Sequence, residues 1–288
     1  MENVTLASSQ IVVQISPIGA EVVRLQNCMG QDLLWDGDPC FWKGRSPILF
    51  PIVGKLPNDR VLINGNIYAI QQHGFARQST FDLVSASEST CRFQLIANDE
   101  TRCIFPFEFR VIVDYEIVHS TLQVIATVEN TSPKPMPASF GFHPAFRWPL
   151  PNAGPRSAHK LIFDYNETQP IRRLQNGLLN PISAKNPVFN REIQLSDQLF
   201  ENDVVIFDVL KSRGITYSGE GSQSLRIDFP DMPHLGLWSR PGAGFVCIEP
   251  WQGFSTPHDF NGELSTKPGI VKISSGGRRL FCIAITVR

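Results

Sequence analysis

The segment Phe107–Asn130, FEFRVIVDYEIVHSTLQVIATVEN, is the strongest indicator of the fold of this chain. β-Branched, aromatic and small apolar residues recur at every second position on both of its halves. They are Val111, Val113 and Tyr115 on the first half and Leu122, Val124, Ala126 and Val128 on the second. A period of two is typical of a β-strand with one buried face. We therefore predict a long β-hairpin whose turn lies near His119 and Ser120.

Strand-like composition extends over the rest of the chain. Residues 11–27 contain two short apolar runs around a Ser-Pro-Ile-Gly turn, and similar runs occur at 224–240, 245–251 and 278–288. The segment 195–207 is the exception, because it could open with one helical turn capped by Ser196. The 22 prolines and 21 glycines are spread along the chain, as expected for many short antiparallel strands. The pattern predicts an all-β protein.

The chain has no composition shift that would divide it. Three prolines in the segment 130–140, NTSPKPMPASF, resemble a linker, but strand-like sequence lies on both sides of them. We interpret this segment as a stiff crossover inside one unit. We therefore expect residues 1–288 to form a single domain, since all-β domains often reach this length.

Composition excludes several classes of function. The formal net charge of −1 gives no electrostatic reason to bind nucleic acid. No apolar run approaches the roughly 20 residues that span a bilayer, and the N-terminus does not resemble a signal peptide. The six cysteines are scattered, with no C-x-x-C pair and no zinc-ligand spacing. We expect a cytoplasmic protein with reduced, mostly buried thiols.

Three segments combine a titratable side chain with glycine, proline and large aromatic residues. They are SFGFHPAFRWPL (139–150), QQHGFARQSTFDL (71–83) and GFVCIEPWQGFSTP (244–257). Apolar surroundings raise the pKa of a carboxylate such as Glu249 towards the range where it can act as a base near neutral pH. The imidazoles of His143 and His73 titrate in that range already. The shared composition makes these residues candidates for one acid–base site.

The same residues could instead have purely structural roles. His143 could be a core histidine that hydrogen-bonds a backbone carbonyl, and Glu249 could form an ion pair with Arg240 or Arg77. The sequence leaves both possibilities open, because it does not show whether the three segments meet in space.

Tryptophans beside glycine, proline or arginine indicate a class of ligand. They are Trp42, Trp148, Trp238 and Trp251. Indole rings at the ends of strands can line a cleft or simply close a sandwich. Aromatic faces surrounded by charged donors and acceptors suit sugars, whose C–H faces pack on rings while their hydroxyls need polar partners.

Five motifs, taken in order, resemble the aldose 1-epimerase (mutarotase) family, in particular its bacterial aldose 1-epimerase-like branch. They are LLWDGDPCFWKGRSPILFPIVGKL (33–56), QQHGFARQSTFDL (71–83), SFGFHPAFRWP (139–149), LFENDVVIF (199–207) and FVCIEPWQGFS (245–255). The similarity extends from about Ile11 to the C-terminus. It implies a galactose-mutarotase-like β-supersandwich of two large, twisted antiparallel sheets, in agreement with the strand pattern.

The resemblance also implies a reaction and its residues. Members of the family interconvert the α and β anomers of a free aldose without metal or cofactor. Glu249 matches the general base that takes the proton of the C1 hydroxyl, and His143 matches the general acid that protonates the ring oxygen. His73 matches a second histidine that holds or polarises the ring oxygen. Asp203 matches an acidic residue that binds sugar hydroxyls, and Trp251 follows the base as a further expected contact of the sugar.

Some positions depart from the family pattern. Galactose mutarotases carry an arginine where this chain has Lys55, and lysine lacks the planar fork of arginine. Arg45 lies a few residues earlier and could take that role. Phe142 and Pro144 replace the usual neighbours of the acid, so the resemblance does not specify the sugar.

Two other functions are compatible with the sequence. A hexose-6-phosphate 1-epimerase would use the same chemistry and hold the phosphate with Arg45 and Arg77. A carbohydrate-binding protein without turnover could share the fold, although it would need no acid and base pair. In each case the expected partner is a small sugar, with no nucleic acid and no membrane, and the chain would be a monomer or a homodimer.

Overall fold

Antiparallel β-strands form nearly all the regular structure in the computed structural model, which describes residues 2–221 and 223–288. The strands up to residue 142 are β1 (Val4–Ala7), β2 (Ile11–Ile15), β3 (Val22–Asn27), β4 (Ile48–Leu49), β5 (Arg60–Ile63), β6 (Asn66–Ala69), β7 (Asp82–Ala86), β8 (Thr90–Ile96), β9 (Phe109–Val118), β10 (Thr121–Asn130), β11 (Met136–Ala138) and β12 (Phe140–Phe142). The later strands are β13 (Ala145–Arg147), β14 (Lys160–Phe163), β15 (Leu174–Gln175), β16 (Leu178–Leu179), β17 (Glu192–Gln194), β18 (Val205–Phe207), β19 (Gly214–Ser218), β20 (Leu225–Asp228), β21 (His234–Trp238), β22 (Phe245–Gln252), β23 (Val271–Ile273) and β24 (Arg278–Val287).

The predicted hairpin lies at the centre of a nine-stranded antiparallel sheet. Its arms are β9 and β10, with Val118 paired to Thr121 across the two-residue turn His119–Ser120. The strand order is β17-β14-β19-β20-β24-β10-β9-β8-β7. Buried and less buried residues alternate along both arms, as the sequence pattern requires of a sheet with one face in the core.

A six-stranded sheet packs against the first and carries the site described below. Its order is β18-β21-β22-β12-β4, and β13 also pairs with β22. One large hydrophobic cluster joins the facing sides of the two sheets, with Val113 contributed by β9 and Val246 and Ile248 by β22. The two large antiparallel sheets confirm the predicted all-β sandwich of the galactose-mutarotase type.

Smaller elements complete the described chain. β1–β3 form a three-stranded sheet, and β2 and β3 are the two runs predicted around the Ser-Pro-Ile-Gly turn. Helix α1 (Asp99–Ile104) begins with a capping box, because Asn98 and Thr101 each accept the other's backbone N–H. Single 3₁₀ turns span Pro57–Asp59, Ala76–Gln78, Arg156–Ala158, Asp197–Phe200 and Leu264–Thr266. No helix among these residues is long and apolar enough to cross a membrane.

Two expectations about local structure need correction. A helical turn does follow Ser196, but it is a 3₁₀ turn and the Ser196 side chain makes no capping hydrogen bond. The six cysteines carry free thiols, yet only Cys91 and Cys247 are buried. Cys28 and Cys40 lie on exposed loops, Cys103 is exposed on α1, and Cys282 is half-buried on β24.

Lys267 is an exception to the apolar character of the interior. Its side chain is 3% exposed, and its ammonium donates a hydrogen bond to the carbonyl oxygen of Phe254. Among the described residues, no carboxylate lies within ion-pair distance of it. Burial lowers the pKa of Lys267 from 10.5 to about 7, because an ammonium loses its hydration in the interior.

This buried lysine predicts a pH dependence of stability. Between pH 7 and pH 9 the unfolded chain keeps the lysine protonated while the folded protein releases the proton. The free energy of unfolding should therefore rise by about 2 kcal/mol across this window. Urea unfolding at several pH values measures it. Lys267→Met should remove the dependence, whereas Lys272→Met, at an exposed lysine, should keep it. A dependence that survives in Lys267→Met would contradict the assignment.

Candidate active site

The side chains of β22 alternate between the core and the opposite face of the six-stranded sheet. Val246 and Ile248 belong to the main core cluster. Cys247, Glu249 and Trp251 therefore project from the other face, as the period of two along a strand requires. Separate small hydrophobic clusters contain Cys247 and Trp251, on either side of Glu249.

Strand register brings His143 opposite Glu249. Gly141 of β12 pairs with Trp251, and Ala145 of β13 pairs with Cys247, so the residue midway between them faces Glu249. Pro144 has no backbone N–H to donate, which separates β12 from β13 at this point. The segment around His143 is thus an interrupted strand, and the interruption lies at the candidate acid.

The imidazole and the carboxylate are in contact and buried. Nε2 of His143 lies 3.1 Å from Oε2 of Glu249, and the two residues are 7% and 1% exposed. Oε2 of Glu249 and Nδ1 of His143 are buried without a hydrogen-bond partner in the described chain, so the 3.1 Å contact lacks hydrogen-bond alignment. Glu249 forms no ion pair with Arg77 or Arg240. Buried polar atoms without partners are costly, which makes this pair the candidate functional centre.

Burial shifts both pKa values towards neutral side chains. Loss of hydration raises the pKa of Glu249 well above 4.5, and the negative charge of Asp203 adds to the shift. The pKa of His143 falls to about 3, mainly through burial and further through the positive charge of Arg77. Both shifts favour a pair that holds a single proton, because a second proton and the loss of the first are each disfavoured.

His73 is held as a neutral hydrogen-bond donor. Its backbone has φ 67°, a left-handed conformation that is rare outside glycine. Its Nδ1 accepts the backbone N–H of Gly54 at 3.1 Å, so the neutral ring carries its hydrogen on Nε2. Burial, together with the charges of His143 and Arg77, keeps the pKa of His73 well below 6.5. The ring stands edge-on to His143 with centroids 5.7 Å apart.

These groups open onto a pocket of about 360 Å³. Its lining combines acid–base groups, aromatic rings and charged residues at the rim: Trp42, Gln72, His73, Arg77, His143, Leu174, Asp203, Val204, Ile206, Trp238, Arg240, Glu249 and Trp251. The volume is in the range of small-molecule sites. Both histidines and the glutamate predicted from three separate segments thus lie in one pocket.

Aromatic rings fix the orientation of His143 and shape the pocket. The indole of Trp42 stacks on the imidazole at 4.8 Å, and that of Trp238 meets it edge-on at 5.9 Å. Trp251 lies over glycines of the neighbouring strands. A Cβ at Gly141 would come within 2.6 Å of its ring, and one at Gly236 within 2.3 Å. The absence of side chains at these two positions is what makes room for the indole.

Asp203 and Arg77 supply charges to the pocket. Asp203 is exposed and has φ 63°, and its carbonyl oxygen accepts a hydrogen bond of 2.7 Å from Arg173. Arg77 is partly buried and donates to the carbonyl oxygen of Gln72 at 2.9 Å, while its Nε has no partner. Arg77 therefore supports the backbone next to His73 and leaves part of its guanidinium free.

The structure does not bring every expected residue to this pocket. Arg45 lines a separate surface depression, so Arg45 and Arg77 do not share the pocket as the phosphate-binding alternative requires. Lys55 packs its aliphatic part on Gly177 and does not line the pocket. Trp148 is 1% exposed and its indole donates to the carbonyl oxygen of Arg156, away from the pocket. These residues lie in the predicted motifs, but their side chains point away from the pocket.

Comparison with known proteins agrees with this geometry. The family model for aldose 1-epimerase matches residues 2–270. The chain belongs to the aldose 1-epimerase family. Proteins of this family act on sugars, and the reaction for which the family is named is an isomerisation.

Individual members of the aldose 1-epimerase family are similar over nearly the whole chain. Protein LacX of Lactococcus lactis subsp. lactis is 31% identical over 286 residues, with 94% of each chain covered. The solved structure of a galactose mutarotase related enzyme from Lactobacillus acidophilus has a TM-score of 0.92 at 28% identity and covers 99% of this chain and 97% of its own. A galactose mutarotase-like protein from Lactobacillus casei gives the same TM-score and identity, with 99% and 100% coverage.

The close packing of Trp251 on Gly236 predicts the effect of a methyl group. Gly236→Ala should displace the indole and destabilise the protein by about 1–3 kcal/mol, because the sheet cannot absorb the overlap. Thermal unfolding and tryptophan fluorescence measure the two effects. Gly154→Ala is the matched control, since its Cβ would meet no atom closer than 3.5 Å. Equal stability of the two variants would argue against this packing constraint.

Proposed function

We propose that the protein is an aldose 1-epimerase that interconverts the anomers of a free aldose of the glucose or galactose type. The proposal rests on the buried contact between His143 and Glu249, whose Nε2 and Oε2 atoms are 3.1 Å apart. The two residues lie beside His73 in a pocket large enough for a sugar. Ring opening of a hemiacetal needs one group to remove a proton and another to supply one, and this pair offers both at contact distance.

The reaction uses one proton on the pair. In the resting pair both side chains are neutral, so the proton of Glu249 first passes to Nε2 of His143, 3.1 Å away. The Glu249 carboxylate then takes the proton of the C1 hydroxyl while the imidazolium of His143 gives its proton to the ring oxygen. The C1–O5 bond breaks, and C1 becomes the aldehyde of the open chain. Rotation about C1–C2 presents the other face of the aldehyde. The protonated Glu249 then returns a proton to the aldehyde oxygen as neutral His143 removes one from O5, and the ring closes as the other anomer.

His73 is assigned a binding role in this reaction. Its Nδ1 is engaged by Gly54, so its Nε2 carries the hydrogen, and this Nε2 lies 3.3 Å from the side-chain amide of Gln72 at the pocket. A neutral donor can polarise the ring oxygen without competing for the proton that His143 supplies. His73 therefore holds the oxygen in place, and proton transfer belongs to His143.

The rest of the lining suits a polyhydroxylated ring. Asp203 at the rim can accept hydrogen bonds from sugar hydroxyls, and the indole of Trp251 offers an apolar face beside Glu249. Arg77 and Gln72 add donors on the side of His73. Trp42 and Trp238 hold the acid in place and shield it from water.

Loss of either member of the pair tests the proposal. Glu249→Gln and His143→Asn should each lower kcat by roughly 10²–10⁴-fold, because each removes one proton-transfer group. Polarimetry on freshly dissolved α-D-glucose and α-D-galactose, corrected for the spontaneous rate, gives the measurement. Glu116→Gln, at an exposed glutamate on β9, is the matched control and should keep full activity. Native activity in either site variant would refute the assignment.

A phosphorylated sugar is the second candidate substrate. Arg77 and Arg240 line the pocket, together with the carboxylate of Asp203. The two arginines could therefore bind a phosphate, although Arg45 lies elsewhere. Polarimetry on glucose 6-phosphate decides between the substrates. A higher kcat/KM for the phosphate that falls in Arg240→Ser would favour the hexose-6-phosphate reaction, whereas a preference for the free sugar would exclude it. Binding without turnover of any of these sugars would indicate the non-catalytic alternative.

The opposed pKa shifts predict the pH profile. A free imidazole would take up the second proton of the pair near pH 6.5, but the pKa of His143 is about 3. The catalysed rate should therefore persist down to about pH 4 before it falls, provided that the protein remains folded by circular dichroism. Loss of kcat with a midpoint near pH 6.5 in the folded protein would contradict the proposed sharing of one proton.

A further inference from the structure

Cys247 is a buried group that the proposed reaction does not use. It projects from the same face of β22 as Glu249, one row along the strand, and it is fully buried. Its Sγ, a ring nitrogen of His143 and a carboxylate oxygen of Glu249 all lie within 4.8 Å of one another. Cys247 does not line the pocket but packs beside the acid–base pair in a small hydrophobic cluster with Trp35 and Phe245.

These three side chains are the ligand types that Zn²⁺ prefers. Zinc binds thiolate at about 2.3 Å and imidazole or carboxylate at about 2.0–2.2 Å, and mononuclear sites with three protein ligands leave a fourth position open. Ligand atoms of such a site are roughly 3–4 Å apart. The 3.1 Å between Nε2 of His143 and Oε2 of Glu249 already fits, and the sulfur would need to approach by about 1 Å.

The surroundings of these three side chains favour cation binding and make the site accessible from the pocket. Oε2 of Glu249 is buried without a hydrogen-bond partner, so a metal bond would satisfy it. His143 and Glu249 line the pocket, and the fourth position would face the space that a sugar occupies. A bound ion would therefore occupy both proton-transfer groups and exclude the substrate.

We propose that His143, Cys247 and Glu249 form a site for a thiophilic divalent cation, and that this cation inhibits the enzyme competitively with the sugar. The inhibition rests on the proposed function, but the binding does not. As the metal–sulfur bond forms, the thiol releases its proton to solvent, and the proton shared by His143 and Glu249 leaves as well. No electron is transferred.

Cobalt absorption tests the site without reference to activity. Co²⁺ is the probe, because a thiolate ligand gives it a charge-transfer band and tetrahedral coordination intensifies its visible bands. The protein carries Cys28→Ser, Cys40→Ser and Cys103→Ser to remove the exposed thiols. We expect one cobalt ion per chain with a thiolate band, and loss of that band when Cys247→Ser is added. Identical spectra with and without Cys247 would overturn the proposal.

Inhibition by Zn²⁺ tests the consequence. In the native protein, Zn²⁺ should raise the apparent KM for the sugar and leave kcat unchanged. Cys247→Ser should keep the uninhibited rate and require roughly tenfold or more Zn²⁺ for the same inhibition. Cys282→Ser is the matched control and should respond like the native protein. Equal sensitivity of Cys247→Ser and the native protein would also overturn the proposal.

Two further measurements keep the outcomes distinct. Thermal unfolding shows whether Cys247→Ser is folded, and Cys247→Ala serves in its place if it is not. If the native protein catalyses no mutarotation, the proposed function fails while the cobalt spectrum still decides whether the metal site exists.

Discussion

The contact between His143 and Glu249 depends on the pairing of β22 with its neighbours. Two ionisable groups are held 3.1 Å apart and nearly fully buried at the base of the pocket, where both have lost most of their hydration. The register of Gly141 with Trp251 and of Ala145 with Cys247 fixes the backbone on both sides of His143. The carbonyl oxygen of Pro144 accepts the N–H of Ile248 at 3.2 Å, so the interrupted strand stays attached at its centre. The reactive distance is thus set by the sheet and not by a flexible loop.

The same sheet decides where the pocket can be. Its core face packs on the nine-stranded sheet, which leaves only the opposite face for a ligand. Along that face the hydrophobic clusters around Cys247 and around Trp251 flank Glu249. Gly236 pairs with Glu249 and places no side chain above the sheet. The pocket therefore lies where the outer face of the sheet lacks a side chain at Gly236, and aromatic rings form its side walls.

The sequence predicted the fold well because the fold is expressed in local patterns. The period-two alternation of residues 107–130 was sufficient for the central hairpin, since one of its faces is uniformly apolar. The acid–base residues His143, His73 and Glu249 were identifiable from their unusual neighbours together with the family resemblance. Their meeting in space was not, because strand order in a sandwich is a non-local property.

The direction in which a long side chain points was harder to predict. Arg45 and Lys55 lie in motifs that contribute to the pocket by their backbone position, yet their side chains point elsewhere. Gln72 and Arg240 also line the pocket, although neither was predicted as a site residue. Cys247 could have been found, because it precedes Glu249 by two residues in a strand and must share its face.

Burial of the pair suits a reaction that must run in both directions. In the proposed reaction each ring opening moves the shared proton through the sugar from His143 to Glu249, and each closure returns it. Exposed groups would exchange with water and titrate independently, so part of the population would hold two protons or none. The interior disfavours both forms, because it lowers the pKa of His143 to about 3 and raises that of Glu249 well above 4.5. Both shifts therefore favour the singly protonated pair, which is the state that both half-reactions require.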